Sequence, residues 1–138
     1  METEVLENVL PVFGFQVKTF PMGIKEAFDE LTTRISAEDG RFYYGISECT
    51  KDGIVYIAAA AEKFEGEGDQ YGYQHFLIEK GEYLAVTVLD WLCKTDSIKD
   101  VFVEMFTDAR ADRSKPCVEI YKSDDEMVCL VKTLEARD

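Results

Sequence analysis

The sequence predicts an α+β domain built from two β-α-β-β halves, with their strands joined in antiparallel sheet and two helices packed on it. Three observations lead there. Two stretches repeat apolar side chains at three- and four-residue spacing, each is followed by a pair of β-rich runs, and a polar, glycine-rich connection separates the two sets near the middle of the chain. At 138 residues one domain over 1–138 is expected, with halves at about 14–64 and 73–134.

GFQVKTF at 14–20 alternates well enough for a first strand, and Pro21 and Gly23 punctuate it. A helix is expected next, because Ile24, Ala27, Phe28, Leu31 and Ile35 form one apolar stripe, and Asp39-Gly40 closes that segment. FYYGISECT and IVYIAAAA then flank Lys51-Asp52-Gly53, where Asp-Gly supplies the positive φ of a tight hairpin. Alanines 58–61 on the second strand leave room for another element to approach closely.

Residues 65–72, EGEGDQYG, read as a solvated polar turn; Glu65, Glu67 and Asp69 alternate with glycines and lack the spacing of a calcium loop. HFLIEKGEYLAVTVLDWL reads as extended structure broken at Lys80-Gly81, with Leu84, Val86 and Val88 on one face and Tyr83, Ala85, Thr87 and Leu89 on the other. Ser97 with Asp100 resembles a capping box opening a second helix, whose stripe is Ile98, Val101, Phe102, Met105, Phe106 and Ala109. PCVEIYKS and EMVCLVKT are the last two strands, flanking the acidic tip Asp124-Asp125.

The formal charge of −13 repels phosphate backbones, so direct nucleic-acid binding is not expected. About a dozen residues precede the expected first strand, too few for a DNA-binding module. Met1-Glu-Thr-Glu lacks the basic start of a secretory peptide and no apolar run is long enough for a bilayer, which makes the cytoplasm the expected compartment and excludes a membrane role. Cys49, Cys93, Cys117 and Cys129 stand far apart and are expected to be reduced. One histidine, His75, and no clustered cysteines argue against a metal site, and nothing in the chain calls for a cofactor.

No nucleophile elbow, phosphate loop or His-Glu-x-x-His is present. The anomaly is Glu119, a charge inside the apolar strand PCVEIY. Period-two alternation sets Val118 and Ile120 on one face and Cys117, Glu119 and Tyr121 on the other. If Val118 and Ile120 pack under the helices, Glu119 stands on the opposite face, either solvated there or lining a cleft.

YYGIS…GIVYIAAAAE, IEKGEYLAVTVL and PCVEIYKSDDE, together with the order of elements over about residues 14–134, resemble the GyrI-like effector-binding domains of bacterial transcription regulators, here in a stand-alone form. The resemblance implies a pocket between the halves with the glutamate of an x-Glu-x-Tyr strand at its floor and a lipophilic cation as ligand. Glu119 would then be the charge partner and Tyr121 a wall, with Tyr44 and Trp91 the first choices for further lining; Tyr43, Tyr56, Tyr83, Phe102 and Phe106 are other aromatic candidates, the last two as helix core. A poorly solvated carboxylate favours a cation, and aromatic faces add cation–π attraction. The expected function is binding of an amphipathic, cationic small molecule by a sensor or sequestering protein. The alternatives are a hydrolase of strained electrophiles using the same glutamate, and an acidic inhibitor that acts on a protein partner such as gyrase.

Overall fold

The computed structural model describes residues 2–20, 22–35, 41–123 and 125–134. In chain order the elements are β1 (Glu2–Leu6), β2 (Leu10–Gln16), α1 (Ile24–Arg34), β3 (Tyr43–Thr50), β4 (Gly53–Ala61), α2 (Glu67–Gln70), β5 (Gln74–Ile78), β6 (Gly81–Leu89), α3 (Thr95–Met105), β7 (Cys117–Tyr121) and β8 (Glu126–Lys132). The eight strands form one antiparallel sheet in the order β1-β6-β8-β7-β3-β4-β2-β5. The α+β class and the duplicated plan are therefore as expected. Each half supplies three neighbouring strands, β3-β4-β2 and β7-β8-β6, and the halves meet where β3 pairs with β7.

The repeating unit is longer than the sequence suggested. β1 precedes β2 just as β5 precedes β6, so each half is β-β-α-β-β, and its leading strand pairs on the other half: β1 on β6, β5 on β2. These connections curl the sheet. Ile78 and Gly81 are three Cα–Cα steps apart, at most ~11 Å, whereas β5 and β6 stand six positions apart in the sheet, ~29 Å if it were flat. The edges must therefore turn toward each other, and Val12, Tyr44, Ala59, Ile78, Tyr83, Val118, Ile120, Val128 and Leu130 form one cluster on the inner face.

The helices cover the outer face. α1 buries Ala27 and Leu31, with Ile35 just past its end, against Phe13, Val17, Tyr56, Ala58 and Ala60; the small side chains of β4 admit the helix there. α3 sets Ile98 and Met105 over Leu84, Val88, Met127, Cys129 and Val131. No helix among the described residues is long and apolar enough to cross a membrane.

Several local expectations need correction. The first long strand begins at Leu10 rather than 14 and ends at Gln16, because Pro11 lies beyond the end of β4, where no ladder donor is required. The hairpin at Asp52-Gly53 is as expected, with the positive φ, +119°, on Gly53. Ser97 forms no capping box: it is the third residue of α3, and its hydroxyl donates back to the Lys94 carbonyl at 2.8 Å. Helix α3 also stops at Met105, which leaves Ala109 exposed and outside it. Glu67 is not a solvated turn residue. It is buried in α2, with Arg41 Nη1 and Nη2 donating to its two oxygens at 2.9 and 2.8 Å and the Lys63 N–H at 2.8 Å. Pro21, Asp39-Gly40 and Asp124 lie outside the described residues.

Candidate functional site

The inner and outer faces of β7 are the reverse of the arrangement first considered. Val118 and Ile120 point to the inner cluster, away from the helices, and Glu119 lies on the face that carries α1 and α3. Glu119 is central in that face because β7 is one of the two strands at the junction of the halves, opposite Gly45 of β3 and Cys129 of β8.

Glu119 is only 8% exposed. Its Oε1 accepts hydrogen bonds from the Tyr56 hydroxyl at 2.6 Å and the Tyr121 hydroxyl at 2.9 Å. Tyr56 is on β4, two strands away, and it reaches the carboxylate across β3 because position 45 has no side chain. A Cβ there would sit 2.2 Å from the Tyr56 hydroxyl and 2.3 Å from Glu119 Oε1. Gly45→Ala should therefore push the phenol off the carboxylate and lower stability by ~1–3 kcal/mol, the usual cost of overpacking, measurable as a lower urea midpoint at unchanged m value.

Aromatic rings close over this triad. Phe20 stacks on Tyr56 with centroids 5.1 Å apart; Phe28 of α1 and Trp91 meet Tyr121 edge-on at 5.2 and 4.9 Å. Trp91 is held by its indole N–H on the Ser123 carbonyl at 2.9 Å, in a turn where Asp90 takes φ +54°, a conformation rare for a residue other than glycine. Phe20, Phe28 and Trp91 are half-buried, so they form a rim above a buried floor.

Burial raises the proton affinity of Glu119 above that of an ordinary glutamate, and the two phenol hydrogen bonds only partly oppose it. Burial and the facing carboxylate push the Tyr56 hydroxyl well above its usual range, and the same two causes raise Tyr121. Among the described residues no basic side chain pairs with Glu119, so its negative charge is balanced by phenol dipoles alone. The neighbouring thiols of Cys117 and Cys129 are pushed up to about 12, chiefly by burial, and stay protonated at neutral pH.

Of the residues singled out in the sequence, the structure thus brings Glu119, Tyr121 and Trp91 together. Tyr44 is elsewhere: it is 5% exposed on the inner face, among Val12, Ala59 and Ile120. Tyr56, one candidate among several, is a direct partner of the carboxylate, and Phe20, Phe28 and Gly45 had not been connected with it. Two surface concavities are described, and neither is lined by Glu119: one of about 640 Å³ includes Phe20, Ile54 and Val55, and one of about 310 Å³ lies by Glu62 and His75. Phe20 belongs both to the larger concavity and to the rim of the site.

No protein-family model and no curated protein sequence matches the chain. Solved structures do. An integron cassette protein from the mobile metagenome of Vibrio cholerae aligns with a TM-score of 0.72 at 15% identity, over 96% of this chain and 95% of that one. SAV2435, solved bound to tetraphenylphosphonium, aligns at 0.66 and 14% identity over 99% and 95%. A protein of Staphylococcus aureus MU50 provisionally assigned to bacterial transcription regulation aligns at 0.60 and 14% identity over 96% and 99%. At these identities the likeness establishes a shared fold.

Proposed function

We propose that this protein binds an amphipathic organic cation at Glu119, as a sensor or sequestering protein of the GyrI-like effector-binding class. One observation carries the reading: a buried carboxylate with no basic partner among the described residues, ringed by Tyr56, Tyr121, Phe20, Phe28 and Trp91. An unpaired buried charge is costly, and a cation that brings its own apolar surface relieves that cost while gaining from the aromatic faces. The tetraphenylphosphonium complex of SAV2435, a protein of the same fold, supports the choice of ligand class. A ligand would reach Glu119 past the half-buried rim rings, of which Phe20 also lines the adjoining concavity.

Tetraphenylphosphonium at a hundred times its Kd should stabilise the native state by about 2.7 kcal/mol through mass action. A rise in Tm that Glu119→Gln removes is the expected result; equal rises in both proteins would sink the proposal. The elevated proton affinity of Glu119 is also what a general base needs near neutral pH. Water addition to a strained-ring electrophile, lost in Glu119→Gln when followed by mass spectrometry, would make the same site hydrolytic.

A further inference from the structure

We infer that the natural ligand presents an N–H donor on its cationic centre, as an ammonium or amidinium does and a quaternary ammonium or phosphonium does not; this rests on the cation-binding reading above. The observation is an asymmetry within the carboxylate. Both phenols, at 2.6 and 2.9 Å, donate to Oε1, and among the described residues none donates to Oε2. The cause is architectural. Tyr121 lies two residues along the same strand face, Tyr56 arrives through the gap at Gly45, the rings of Phe20 and Phe28 beside these phenols have no polar atom to offer, and the neighbouring thiols of Cys117 and Cys129 make no hydrogen bond to the carboxylate. The indole N–H of Trp91 is already committed to the Ser123 carbonyl.

A carboxylate oxygen has two lone pairs; Oε2 keeps some contact with solvent, so a ligand that covers it displaces water and incurs a penalty unless it offers a donor in return. A quaternary centre neutralises the charge but gives Oε2 nothing to accept. A charged N–H gives it a charge-assisted hydrogen bond, stronger than a neutral one. The aromatic rim acts in the opposite direction, because ring faces attract a methylated cation and such a cation sheds its water more readily than an ammonium does. The two effects therefore predict opposite orders for a matched pair of ligands.

The pair is 4-phenylbenzylammonium and (4-phenylbenzyl)trimethylammonium, which share charge and aromatic body and differ in the N–H groups. Binding is read at pH 8, where Glu119 is more fully ionised and the amine remains protonated, from the fluorescence of Trp91, the sole tryptophan, whose ring touches Tyr121. The ammonium should bind about tenfold more tightly or better, as expected for a hydrogen bond to a charged group, and Glu119→Gln should erase the preference. Equal affinities, or a preference for the trimethyl compound, with binding still dependent on Glu119 would overturn the N–H inference and leave the cation site standing. Failure of both compounds to bind, or binding indifferent to Glu119→Gln, would overturn both. The order of affinities in the unaltered protein decides the question even if the variant does not fold.

Discussion

Arg41→Met is expected to lower the free energy of unfolding by about 3–5 kcal/mol, the range found when one partner of a buried ion pair is removed. The side chains of Arg41 and Glu67 are 3% and 4% exposed, and the guanidinium meets the carboxylate through two hydrogen bonds while also donating to the Ala61 carbonyl at 2.9 Å. Removing the arginine leaves the Glu67 carboxylate in a site that water barely reaches. The loss should be concentrated in α2 and the end of β4, so hydrogen exchange at residues 61–70 should accelerate more than at β7 or β8. Arg41→Met combined with Glu67→Leu should recover much of the stability, since neither charge of the buried pair then remains. A single variant with the urea midpoint of the parent would mean that the ion pair contributes little.

Glu119→Gln should have the opposite sign. Because burial raises the proton affinity of Glu119, the folded state holds that proton more tightly than the unfolded chain does. The contribution of Glu119 to stability is therefore fully present below the ordinary value of 4.5 and is lost as pH rises through the higher folded value. Glutamine stays neutral throughout and still accepts from both phenols. The variant should melt above the parent at pH 7–8, and the two curves should converge below about pH 4.5. Ligand binding should follow the opposite course, weakening as pH falls and Glu119 takes up its proton. A Glu119→Gln protein less stable than the parent at pH 8 would show that the phenol–carboxylate bonds outweigh the burial of the charge. Gain of stability with loss of binding is the signature of a group kept for function rather than for folding.

Much of the framework was legible because it depends on short-range pattern. The stripes of α1 and α3, the Asp-Gly hairpin and the alternation along β6 all follow from spacing within ten or so residues. Glu119 and Tyr121 were legible for the same reason, as a charge and an aromatic two positions apart on one strand face. What was not legible depends on pairing between distant segments. The turn at Lys51-Asp52 fixes Ser47 opposite Tyr56, but nothing local says that β3 then pairs with β7, and only that pairing places Gly45 opposite Glu119 and lets Tyr56 reach it. Tyr44 illustrates the same limit, since its pairing with Ile120 sets it on the face opposite Glu119. β1 was missed because an edge strand of mostly exposed residues has no apolar alternation to reveal it.

The exchange of leading strands between the halves bears on how the chain acquires its structure during synthesis. Of these eight strands β1 is synthesised first, yet among the described residues its neighbour in the sheet is β6, and Glu2 must wait for Ala85. β3 meets β4 at once but lacks its second neighbour until β7 emerges, and Gly45 waits for Glu119. A nascent chain stopped at the glycine-rich link would hold a helix on a three-stranded sheet with one open edge awaiting β5, another awaiting β7, and β1 unpaired. Closure of the carboxylate site thus waits until β7 and β8 have emerged to complete the sheet, and neither half can assemble it before the other exists.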